Sequence, residues 1–313
     1  MKPKRRQLGL GAFDLIEEAT HLLRTAPAAT LAAYYLGAIP FVLGLLFFWA
    51  DMSRNPFASE HLADASLAMV LLFLWMKFWQ ALFTRLIRAQ RAAQPAPPLT
   101  FRAAVRIFIV QTIWQPSGLF LVPLSFIPVL SFPWVYAFYQ NITALSDGRD
   151  GAAQVFKKSW RQAGLWPRQN GIVILILAGF ILYIFWNWSA VCLALPELFK
   201  MFFGVESKFT RSPYSLFNST FFAAMFGLTY LCADPILKTY YALRCFYGQS
   251  IESGEDIKAD LMAVAQVSKP AVSPISKSAS RPNADNRKNQ YAMSIRGGDS
   301  LSPQKAAEAG GLQ

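Results

Sequence analysis

Apolar residues in this chain fall into long unbroken runs instead of alternating with polar ones. That pattern predicts helices that cross a lipid bilayer, since ~30 Å of hydrocarbon takes about 20 apolar residues at ~1.5 Å each. The runs cover about 28–50, 65–85, 103–124, 127–146, 171–195 and 216–247. Other stretches keep helical spacing but mix in charge. In LGAFDLIEEATHLLR, Phe13, Ile16, Leu22 and Leu23 alternate with Asp14, Glu17 and Glu18. AAQVFKKSWRQAGLW, and the stretch carrying Ile257, Leu261 and Val264, repeat the pattern. These read as amphipathic helices, with the first placed in the membrane interface. The predicted fold class is all-α: a polytopic membrane helix bundle of about six spans with amphipathic interfacial helices. Residues 1–27 read as a basic tail plus interfacial helix and 28–247 as the six-span domain. Residues 248–266 form a short amphipathic helix, and 267–313 a disordered tail of Ser, Pro, Ala, Asn and Lys.

Residues 103–146 allow two parsings, because Pro116, Pro123, Pro128 and Pro133 break the run. Either a hairpin of two spans turns around Pro123–Pro128, or 101–115 lies on the surface and one span follows. Charge favours the hairpin. The next loop carries Arg149, Lys157, Lys158, Arg161 and Arg168 against Asp147 and Asp150. Basic loops stay in the cytoplasm, and only two spans return this loop to the side of Arg85, Arg88, Arg91, Arg102 and Arg106. Loops 51–64 and 197–215 are not basic and belong outside. Pro196 is expected to end the fifth span. Both termini then lie in the cytoplasm, and the expected location is the bacterial cytoplasmic (inner) membrane. No cleaved signal peptide is expected, because MKPKRR is not followed directly by an apolar stretch and FFWADMS offers no small-residue cleavage site.

Composition supports this picture. The chain of 313 residues is 54% hydrophobic and 15% charged, with a mean hydropathy of +0.29, against about 25% charged in an average soluble domain. A net charge of +12 would suggest nucleic acid in a soluble chain. Here the basic residues mark loops, so the expected partners are the bilayer, anionic lipid at the cytoplasmic face, and a membrane or cytoplasmic protein, with no nucleic acid. Cys192, Cys232 and Cys245 lack paired spacing, and His21 and His61 lack a ligand set, so no metal or cofactor is expected. No phosphate loop, nucleophile elbow or zinc signature is present, and no catalytic residue is assigned.

The candidate chemistry lies inside the spans. An ionised side chain there costs about 2.5–3.5 kcal/mol on insertion scales unless it finds a partner or water. Asp234 and Lys77 are the two such residues. Lys77 lies about 12 Å of helix from Arg85, and Asp234 about 15 Å from Arg244, so an ion pair between the second and sixth spans is one reading. A local pair with Lys238, four residues on, or a carboxylate wetted from the cytoplasm is another. A proton or substrate path is a third. Pro40 and Pro235 are expected to kink their helices, Pro40 freeing a carbonyl near Leu36. Gln111, Gln140, Asn141, Asn187 and Asn218 read as packing glue between helices.

Four stretches carry a resemblance: LLRTAPAATLAAYYLGAIPFVLGLLFFWADMS, LWPRQN, LFNSTFF and DPILKTYYALRCFYGQSIESGEDI. Over about residues 10–262 they resemble uncharacterised bacterial polytopic membrane proteins of the type found as the membrane domain of glycerophosphoryl diester phosphodiesterases. In that group the phosphodiesterase is a separate soluble barrel, for which this chain has no room. The resemblance thus implies a membrane module and transfers no catalytic residue. The expected role is a non-catalytic scaffold or accessory membrane module, with a small-molecule transporter or permease using an Asp/Lys polar path as the alternative.

Overall fold

The computed structural model describes residues 11–127, 132–204, 218–254 and 256–261. Among the described residues there is no strand. The helices are α1 (Ala12–Arg24), α2 (Ala28–Arg54), α3 (Leu62–Arg91), α4 (Phe101–Leu124), α5 (Phe132–Leu145), α6 (Ala152–Ala163), α7 (Pro167–Phe203) and α8 (Ser219–Ser253), with a 3-10 turn at Ala58–Glu60. The chain is an all-α bundle, and α2, α3, α4, α7 and α8 are long and apolar enough to cross a membrane. The basic tail before Gly11 and the predicted disordered segment 267–313 lie outside the described residues.

Local chemistry sets the helix ends. Gly11 N donates to Asp14 Oδ2 at 3.0 Å at the start of α1. Thr100 Oγ1 accepts from Ala103 N at 3.3 Å at the start of α4, and Asn218 Oδ1 from Phe221 N at 2.8 Å at the start of α8. Each satisfies an amide that a helix start leaves unpaired. Gly204 and Gly254, both at φ 66°, close α7 and α8 in the left-handed conformation that glycine adopts without penalty.

The expected stop at Pro196 does not occur. α7 continues through it to Phe203. The following ELFKMFF holds good helix formers, and a membrane helix tolerates the one hydrogen bond that proline removes. Likewise α8 runs past Tyr247 to Ser253 before a separate helical stretch at 256–261.

The ambiguous 103–146 region closes as a hairpin. Gln111 Nε2 donates to Ser146 Oγ at 2.9 Å. Gln115 Nε2 donates to Tyr139 O at 3.2 Å and Thr143 Oγ1 at 3.0 Å. Arg106 Nη1 reaches Arg149 O at 3.1 Å, so the loop after α5 returns to the start of α4, where the charge argument puts it. α5 has 14 residues, about 21 Å of helix, which is short of a full crossing by itself. Residues 128–131 of the expected turn lie outside the described residues.

α2 and α3 pack tightest, with glycine on the α2 face. A Cβ on Gly37 would sit 2.5 Å from Trp79 Cβ, so the backbones approach only because that atom is missing. α1 turns Leu15, Ala19 and Leu22 into the protein core instead of into lipid, leaving Phe13 exposed. It is tied down by Arg91, whose Nε donates to Glu18 Oε1 at 2.6 Å and whose Nη2 donates to Tyr247 Oη at 2.8 Å.

Candidate functional site

Proline costs a helix one backbone N–H, and the two interior prolines of α2 and α8 show how the bundle covers that loss. Pro40 frees the carbonyl of Leu36, which accepts from Trp75 Nε1 of α3 at 3.1 Å. Pro235 frees that of Leu231, which Tyr35 Oη of α2 reaches at 3.4 Å. Both prolines sit inside continuous helices. The side chains that repair them bring α2, α3 and α8 together at the depth of Asp234.

Asp234 is buried, at 6% exposure. Its Oδ2 accepts from Tyr34 Oη of α2 at 2.8 Å and from Gln80 Nε2 of α3 at 3.0 Å. Gln80 Nε2 also lies 2.7 Å from Tyr230 Oη, and Tyr230 Oη lies 3.3 Å from Met76 Sδ. The Tyr34 ring is held edge-on by Tyr35 and Phe83, with centroids 5.2 and 5.4 Å away. Oδ1 faces Lys238 Nζ at 3.8 Å along the helix, an ion-pair distance longer than a hydrogen bond. Lys238 Nζ instead donates to Gln140 Oε1 of α5 at 2.6 Å. One acid and one base, four residues apart on α8, are thus bonded to three other helices.

Of the residues singled out in the sequence, Asp234 and Lys238 come together. Lys77 does not join them in an ion pair: its ammonium lies 5.3 Å over the ring of Phe73, one turn earlier on α3. The helical position that reaches Asp234 is Gln80. Tyr34, Gln80 and Tyr230 carry no charge signal, and only the need of a buried carboxylate for donors points to them.

A cleft of about 220 Å³ reaches this cluster between α5, α7 and α8. Its walls are mostly apolar, with Leu177, Ile181, Phe226 and Leu237 facing Tyr136, Thr229, Tyr230 and Asp234. Its one carboxylate is that of Asp234, and its hydroxyls are those of Tyr136, Thr229 and Tyr230. No family model, curated protein or solved structure matches the chain, so the cluster is read on its own chemistry.

Proposed function

We propose that this chain is a non-catalytic scaffold or accessory module of the bacterial inner membrane, with both termini and its basic end in the cytoplasm. The observation that carries this reading is the closed bonding of Asp234 and Lys238. Tyr34 and Gln80 hold the carboxylate and Gln140 holds the ammonium, so the intramembrane charges join α2, α3, α5 and α8. The distribution of basic residues supports the orientation. Arg85, Arg88, Arg91, Arg106, Arg149 and Arg244 gather at the end where α3 stops and α4 starts. The described residues of the opposite end offer Arg54 and Lys200 against Asp51, Glu60, Asp64 and Glu197. That basic end would meet anionic lipid or a protein partner. The resemblance to phosphodiesterase membrane domains fits the same role.

A second reading, a small-molecule permease, draws on the cleft that reaches Asp234. Thiol labelling separates the two. In a chain cleared of its three native cysteines, Thr229→Cys or Ala233→Cys places a thiol on the cleft wall. A scaffold leaves it untouched by membrane-impermeant reagents on both faces. Labelling from either face would replace the scaffold with the permease.

A further inference from the structure

We propose that the basic end carries a binding site for a phosphate group, in the cleft between the end of α3, the two loops that follow α3 and α5, the end of α8 and the helical stretch 256–261. The cleft measures about 190 Å³, room for about six waters at ~30 Å³ each. Arg85, Arg88, Arg149 and Lys258 line it, and Asp147 is the one acid among its lining residues. Four cations and one anion leave three positive charges unbalanced. Asp147 is already engaged: its Oδ1 accepts from Arg149 N at 2.9 Å, and its Oδ2 lies 4.0 Å from Arg149 Nε.

The arginines are built into the wall. Arg85 is 8% exposed. Its Nη2 donates to Pro97 O at 2.8 Å and Pro98 O at 3.2 Å, which fixes the guanidinium, while its Nε has no hydrogen-bond partner. Arg88 repeats the arrangement. Nη1 donates to Ala144 O at 3.2 Å and Nη2 to Gln249 Oε1 at 2.5 Å, while Nε is unpartnered. Arg85 is buried and Arg88 half-buried; both are held by neutral oxygens, and the Nε–H that each leaves unpaired calls for an acceptor. A phosphate supplies both the negative charge and the several oxygens that arginine N–H groups match. Phe246, Ala89 and Ala92 give the cleft an apolar wall, which suits a phosphate carried on a glycerol or acyl body.

This deepens the proposed role, turning a general attraction of the basic end for anionic lipid into one site. It rests on that role only for the orientation of the end. The phosphate can belong to a lipid headgroup or to a soluble phosphate ester, and the test has an arm for each. Full-length protein, stripped of lipid in detergent, is offered phosphatidylglycerol or phosphatidylcholine and read by native mass spectrometry. Separately it is titrated with inorganic phosphate and glycerol phosphate by calorimetry. The variant is Arg149→Gln with Lys258→Gln, two side chains that hold no helix in place, and Arg85→Lys is a second, charge-preserving variant. Removing each charge weakens binding about fivefold, so the double variant loses about 25-fold, while Arg85→Lys weakens binding with its charge retained. Preferential retention of phosphatidylglycerol that falls in the variants assigns the site to lipid. Binding of the soluble phosphates that falls in the same way assigns it to a soluble ester. Wild-type protein that binds neither, or variants that bind as tightly as wild type, would overturn the site. Neither readout depends on thiol labelling of the Asp234 cleft, so the site and the scaffold reading can fail separately.

Discussion

α7 and α8 are nearly equal in length, 37 and 35 residues, and each carries one proline in its interior. α7 is the more apolar, yet it buries only Asn170, Val173, Leu177 and Ser189. Leu175, Leu182, Tyr183 and Trp186 stand exposed along it. α8 carries Asp234, Lys238 and Arg244 in its middle, yet from Ala233 to Phe246 every residue except Ile236 is buried. In water the order would be reversed. In a bilayer, lipid is as apolar as leucine, so hydrophobicity alone does not draw helices together; packing and hydrogen bonds do. The helix that is less oily is the one the others surround.

Substitutions can break or sharpen this contrast. The largest effect is expected from Asp234→Leu, which leaves the Lys238 ammonium buried without its carboxylate and should cost about 3–5 kcal/mol, seen as a lower unfolding temperature in detergent. Adding Lys238→Met should recover most of the loss, since a well-packed apolar pair can replace a buried ion pair. Lys77→Leu should couple to Asp234→Leu less strongly than Lys238→Met does, since the Lys77 ammonium lies over Phe73 and makes no ion pair; equal or larger coupling would restore the interhelical pair that the depth match suggests. Next comes Gly37→Leu, which drives a side chain into Trp79 and should cost about 1–3 kcal/mol. Its control is Gly179→Leu on α7, where nothing lies within 4 Å of an added Cβ, expected within about 0.5 kcal/mol of wild type. Tyr35→Phe uncaps the Leu231 carbonyl and should cost about 0.6 kcal/mol, the usual size of an interhelical hydrogen bond in membranes. The smallest change is expected for Leu182→Ala, within about 0.5 kcal/mol, since this side chain faces away from the core.

Much of the fold is legible in the sequence because the bilayer imposes it. Run length predicts the long helices, and loop charge predicts that α5 brings the chain back beside Arg106. The carbonyl freed by Pro40 is also predictable, because proline always removes the same hydrogen bond. The repair of that carbonyl by Trp75 is not, since any donor on a facing helix could serve. The same limit explains Lys77. Depth follows from the rise per residue, but contact also needs the rotation of one helix against another, at about 100° per residue. Met76 and Gln80, four apart, share the face that reaches α8; Lys77 points toward Phe73. Nor does a list of span residues distinguish Tyr34 or Gln80 from tyrosines and glutamines that merely pack. The stop expected at Pro196 fails for a related reason: proline breaks helices in water more readily than in lipid.

The two repaired prolines bear on how the protein is made. Tyr34, Tyr35 and Gln80 are synthesised early, whereas Leu231 and Asp234 come from the last long helix. At about 5–20 residues per second, the ribosome needs roughly 10–30 s to travel from the end of α3 to the end of α8. During that interval α2 and α3 carry donors whose acceptors have not yet been made. A chain cut short before α8 lacks the carboxylate that Tyr34 and Gln80 grip. The Asp234 cluster thus closes only after α8 has been made.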